Sequence, residues 1–151
     1  MGRGNPSKVR QAEMEDRLWD RQTLRIYCDA SFNPKTKFTA VAALFVFDGD
    51  TQVYSKFLGI QTGNNVTGEI EAVKFAVEQI SIFKRRPALM IEPRSIVVYS
   101  DYNQITQYVE DTDNVKIEYL GEDKRENPFY TAAHNAARKA IFLRPKSGRL
   151  R

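Results

Sequence analysis

Residues 38–50 read Phe-Thr-Ala-Val-Ala-Ala-Leu-Phe-Val-Phe-Asp-Gly-Asp. An apolar, β-branched and aromatic run that ends in Asp48-Gly49-Asp50 predicts a strand entering a tight hairpin. Thr51–Gly59 is then the returning strand. Upstream, residues 23–29 predict another strand, and Phe32-Asn33-Pro34-Lys35-Thr36-Lys37 carries the breakers of a turn. Three strands joined by short turns make an antiparallel meander.

Downstream the period changes. From Thr67, Ile70, Val73, Val77 and Ile80 recur at helical spacing, and Lys84-Arg85-Arg86-Pro87 ends the pattern. Ser95–Ser100 is too apolar for an exposed face and predicts a central, parallel strand. Tyr102–Glu110 predicts a short helix and Val115–Leu120 a fifth strand. Gly121–Glu126 is a charged loop, and Pro128–Leu143 predicts a final helix. The order βββαβαβα implies an α/β fold: a mixed five-stranded sheet, three antiparallel strands followed by parallel βαβ units, flanked by helices. Residues 23–143 form this domain. Residues 1–22 are expected to be a flexible arm with a short helix around Gln11–Trp19, docked by Leu18 and Trp19. Residues 144–151 form a basic tail.

At 151 residues, with 42% hydrophobic and 11% aromatic content, the chain suits one soluble domain with one core. No apolar run approaches the ~20 residues of a membrane span. A single cysteine and the lack of a hydrophobic leader give the expectation of a cytoplasmic protein without membrane partners. A monomer is expected, with no obligate protein partner. The net charge of +4 is unevenly spread: no acidic residue follows Glu126, while Arg138, Lys139, Arg144, Lys146, Arg149 and Arg151 do. Those residues are either a solvated helix face and tail or a surface that tracks phosphates.

Three acids occupy related places. Asp29 closes Leu24-Arg25-Ile26-Tyr27-Cys28, Asp101 closes Ile96-Val97-Val98-Tyr99-Ser100, and Glu69 opens the helix between them. Each alone also suits a turn or a helix cap. Ligands in α/β sheets gather beyond the carboxyl ends of strands, so if the first and fourth strands are neighbours these side chains meet. Crowded carboxylates repel, and divalent cations relieve that repulsion. Two such ions could activate water and stabilise the leaving oxygen of a phosphodiester.

The stretches IYCDAS (26–31), NNVTGEIEAVKFAVEQI (64–80), IVVYSDYNQITQYV (96–109) and, more loosely, NPFYTAAHNAARKA (127–140) resemble type 1 ribonuclease H within the ribonuclease-H-like nucleases. The resemblance covers roughly residues 24–143. It implies a metal-dependent endoribonuclease that cleaves the RNA strand of RNA/DNA hybrids with two divalent cations, Mg²⁺ or Mn²⁺. Asp29 would bridge both ions, and Glu69 and Asp101 would each help hold one. Asn65 and Asn103 match positions that touch the substrate.

The chain departs from the pattern on its last helix. Ala133-His134-Asn135-Ala136-Ala137-Arg138 places His134 where the family usually has an aspartate, with Asn135 as the alternative if the frame slips by one. His134 is either a fourth metal ligand or a surface and packing residue. As a ligand it removes one negative charge and favours Mn²⁺ over Mg²⁺. Glu122 and Asp123 stand in the loop where many relatives carry a mobile histidine. Only Asp111–Asn114 joins the second helix to the fifth strand, so the basic protrusion of some relatives is missing. Hybrid binding then falls to Lys84-Arg85-Arg86, the C-terminal basic residues or the N-terminal arm. A DNA-directed nuclease of the same fold, such as a junction resolvase, and a catalytically weak nucleic-acid-binding module are the alternatives.

Overall fold

The computed structural model describes residues 6–60, 65–112, 114–121 and 126–142, except the side chains of residues 6, 7 and 65. Strands β1 (Thr23–Phe32), β2 (Phe38–Phe47) and β3 (Asp50–Ile60) form the meander. Helix α2 (Asn65–Lys84) leads to β4 (Ser95–Ser100), and β5 (Val115–Tyr119) precedes α3 (Pro128–Phe142). The order across the sheet is β3-β2-β1-β4-β5. β1 pairs antiparallel with β2 and parallel with β4, which is parallel to β5. The mixed sheet flanked by helices is the one expected. No described helix is long and apolar enough to cross a membrane.

The hairpin is as tight as its sequence implies. Phe47 pairs with Asp50, and the two residues between them have φ of 53° at Asp48 and 80° at Gly49. Positive φ at both central positions is the type I′ arrangement, whose twist matches the strands it joins. Gly49 has a second reason to be glycine: a Cβ there would lie 2.2 Å from the Trp19 ring.

Trp19 belongs to helix α1 (Pro6–Trp19), which begins earlier than the Gln11–Trp19 segment expected. Its end is fastened to the hairpin, where Gly49 N donates to Leu18 O at 2.7 Å and Asp48 N to Asp20 O at 3.0 Å. Met14 is buried, Leu18 packs against the core, and Arg17 Nη1 donates to Tyr27 Oη at 3.3 Å. The segment around Tyr102–Glu110 differs in the other direction. It contains one 3-10 turn, Ile105–Gln107, with no side-chain cap. A single polar turn with one buried residue has too little packing to propagate an α-helix.

Two cores lie on opposite faces of the sheet. The larger joins Leu24, Ile26 and Cys28 of β1 and Phe45 of β2 to Val73, Ala76 and Phe83 of α2. The smaller joins Tyr27, Leu44, Val46 and Leu120 to Tyr130 and Ala133 of α3.

Candidate active site

The β1–β4 ladder ends at Tyr27↔Tyr99. Beyond it β1 continues against β2, with Asp29 opposite Ala42, while β4 stops at Ser100. Asp29 and Asp101 therefore stand at the same step of the parallel register, two residues past the last pair. Asp29 does not close its strand, as expected from the apolar run, because the meander carries β1 on to Phe32. The notch left by β4 is where both acids sit. Ser100 Oγ accepts from Tyr102 N at 3.1 Å and turns the chain away immediately after Asp101.

Glu69 reaches the notch from α2. The helix starts at Asn65, so Glu69 stands one turn inside it and not at its first residues. Close approach to β1 brings it there. A Cβ on neighbouring Gly68 would lie 3.3 Å from Ala30 Cβ, tighter than most such contacts. The carboxylate oxygens of Asp29, Glu69 and Asp101 lie within 4.8 Å of one another.

Burying Asp29 beside these charges raises its affinity for its proton. Asp29 is 2% exposed, and burial first, then the charge of Asp101, pushes its pKa up to about 6, against the lowering contact of His134. Cys28, the neighbouring thiol, is also pushed up by burial and by these acids, so it stays protonated and inert.

Helix α3 covers the cluster from the other face. Asn127 caps it, its Oδ1 accepting from Phe129 N at 2.9 Å and Tyr130 N at 3.1 Å, and Pro128 occupies the first helical position. Tyr130, His134 and Arg138 recur at four-residue spacing and line the site with the acids in a cleft of about 400 Å³. His134 Nδ1 lies 2.6 Å from Asp29 Oδ2, and its side chain is 42% exposed. Tyr130 Oη donates to Asp101 Oδ2 at 2.8 Å, and its ring stacks against His134. His134 thus meets the cluster through Asp29.

The other expected residues are dispersed. Asn103 is exposed in the turn after Asp101. The side chain of Asn65, Glu122, Asp123 and the basic residues 144–151 lie outside the described residues. Asn135 lines a different groove, against Leu44 and Phe57, so a frame slipped by one does not lead to the cluster. Arg86, just past α2, is paired with Asp50 at 2.8 Å; Lys84, 3.8 Å from Glu92, ends the helix roughly 22 Å along the axis from Glu69. Tyr130 is the residue that sequence reading missed. Its only signal is the four-residue step to His134.

No family model and no curated protein matches the sequence. Solved structures do match. The ribonuclease H1 of the halophilic archaeon Halobacterium salinarum NRC-1 superimposes with a TM-score of 0.57 at 16% identity, covering 80% of this chain and 98% of that one. This chain has the type 1 ribonuclease H fold. LC11-RNase H1, isolated from compost by a metagenomic approach, gives the ribonuclease H fold a second match, with a TM-score of 0.59 at 17% identity over 81% of this chain and 97% of that one. The same enzyme in complex with an RNA/DNA hybrid matches with a TM-score of 0.57 at 16% identity, covering 80% and 97%. About a fifth of the present chain thus lies outside the shared ribonuclease H fold.

Proposed function

We propose that this chain is a metal-dependent endoribonuclease that cuts the RNA strand of RNA/DNA hybrids. The observation that carries the reading is the meeting of Asp29, Glu69 and Asp101 within 4.8 Å, at the notch of a ribonuclease-H-like sheet. The residues fit divalent cations. All three offer hard oxygen donors, and burial first, then the charge of Asp101, raises the pKa of Asp29, a penalty on its charged form that a bound cation would offset. Two such ions, when bound, activate an attacking water and stabilise charge on the leaving oxygen.

The chain's own residues do the rest. Buried Asp29, with Glu69 and Asp101, would hold the cations. His134, whose Nδ1 lies 2.6 Å from Asp29 Oδ2, would join them as a fourth ligand. A histidine backed by a carboxylate is a common ligand pair, and its neutral imidazole suits Mn²⁺ better than Mg²⁺. Asn65 and Asn103 flank the cluster in sequence and contact the hybrid, and Arg138 on the cleft wall attracts its phosphates.

The test is a substrate panel. Labelled RNA/DNA, RNA/RNA, DNA/DNA and branched DNA are incubated with Mg²⁺ and Mn²⁺ separately, beside Asp101→Asn. The reading predicts cleavage of hybrid RNA alone, faster with Mn²⁺, and a loss of at least about 100-fold in Asp101→Asn. Cleavage of branched DNA would make the chain a resolvase. Binding without cleavage of any substrate would make it a binding module.

A further inference from the structure

We propose that Tyr130 is a positioning residue for Asp101, its hydroxyl fixing the direction in which that carboxylate faces the cluster. The inference deepens the cation-binding reading above and rests on it.

The three acids are held differently by the backbone. Asp29 stands in a ladder opposite Ala42, and Glu69 stands within α2. Asp101 follows the last residue of β4 and stands in a bend outside both ladder and helix. Its side chain is therefore the one that regular structure directs least.

Tyr130 adds a side-chain partner from another element. Its hydroxyl donates to Asp101 Oδ2 at 2.8 Å across 29 residues of sequence. The donor is fixed at both ends. Its own N–H donates to Oδ1 of fully buried Asn127 at 3.1 Å, and its ring is buried in the smaller core with Tyr27 and Ala133. Tyr27, in the same small core, stacks its ring on Tyr99 of β4 at 4.9 Å. The donor is thus tied to the strand that presents its acceptor.

The chemistry also fits: a tyrosine hydroxyl is a neutral donor across the ordinary pH range. A neutral donor orients a carboxylate and leaves it anionic for a cation. A buried tyrosine whose hydroxyl merely needs a partner would show the same bond. The two roles differ in what they do to metal affinity.

The experiment uses the full chain with Mn²⁺ alone as probe, titrated calorimetrically into the parent, Tyr130→Phe, Asp101→Asn and the double variant. Tyr130→Phe keeps the packed ring and deletes only the donor. Mn²⁺ affinity is expected to fall about 10–100-fold, the usual loss when a residue orienting a ligand is removed. The double variant should bind no more weakly than Asp101→Asn. In hybrid cleavage, kcat should fall with KM unchanged and recover as Mn²⁺ is raised. An Mn²⁺ affinity within about twofold of the parent overturns the proposal, as does full additivity in the double variant. Should Tyr130→Phe unfold, ¹³Cζ-tyrosine spectra decide: one resonance must move both on Mg²⁺ addition and in Asp101→Asn, and none doing so refutes the idea. A parent that binds Mn²⁺ but cuts no hybrid removes the nuclease reading and leaves the titration decisive for Tyr130. A parent that binds no Mn²⁺ removes both.

Discussion

The two faces of the sheet are built for different work. Against α2, β1 and β2 bury Ile26, Cys28, Val41 and Phe45 in a continuous apolar layer. Against α3 the layer is smaller, and its members carry polar tips: Tyr27 bonded to Arg17, Tyr130 to Asp101, with His134 on Asp29. Apolar contact is non-directional and supports folding without aiming anything. Hydrogen bonds fix angles, and the face that carries them is the one that overlies the carboxylates. The comparison separates a mainly apolar face, which lends Glu69 to the site, from one whose side chains hydrogen-bond to Asp29 and Asp101.

Substitutions should divide the same way. The largest stability loss is expected for Phe83→Ala on the α2 face. Phe83 is fully buried and its ring lies 5.0 Å from that of Phe45, so the truncation should cost about 3–5 kcal/mol in urea unfolding. Metal affinity should be intact in whatever fraction stays folded. A loss below about 1 kcal/mol would mean that the α2 layer is not the main support.

Asp29→Asn should act in the opposite direction on the metal-free protein. The folded pKa of Asp29, about 6, exceeds its ordinary 3.8, so the native state holds this proton more tightly than the unfolded chain. Its stabilising contribution is complete below the lower value and lost as pH rises through the higher one. With EDTA present, the parent should therefore lose on the order of 2 kcal/mol between pH 4 and 7 that the asparagine variant keeps. Parallel pH profiles for the two proteins would show that the cluster does not strain Asp29.

The smallest effect on folding is expected at the junction of the two faces. Gly68→Ala brings a Cβ to 3.3 Å from Ala30 Cβ and should push the start of α2, with Glu69, away from β1. Alanine's better helix propensity, about 1 kcal/mol, offsets much of the crowding. Stability should change by less than about 1 kcal/mol while hybrid cleavage falls several-fold. Unchanged turnover would show that Glu69 tolerates a shift.

How much of this was legible follows from which interactions are local. The hairpin was readable because Asp48-Gly49 encodes positive φ within two residues, and α2 because its apolar spacing persists from Ile70 to Phe83. The meeting of Asp29 and Asp101 followed from strand order. By contrast, Tyr102–Glu110 carries a helical pattern that lacks the packing to support it. The length of α1 was obscured by its charge, since Met14 and Leu18 are its few inward anchors. Tyr130 was invisible because its partner lies in the bend after β4, and sequence spacing does not encode a contact across 29 residues.

The central claim is that three carboxylates make this chain a nuclease for the RNA strand of hybrids. Its most direct measurement is cleavage of an RNA/DNA hybrid, each strand separately end-labelled, in Mn²⁺ and in EDTA, by the parent and by Asp29→Asn, Glu69→Gln and Asp101→Asn. The account predicts internal cuts in the RNA strand alone, abolished by EDTA and by each substitution. Intact RNA in the parent, or cutting that survives all three substitutions, would contradict it.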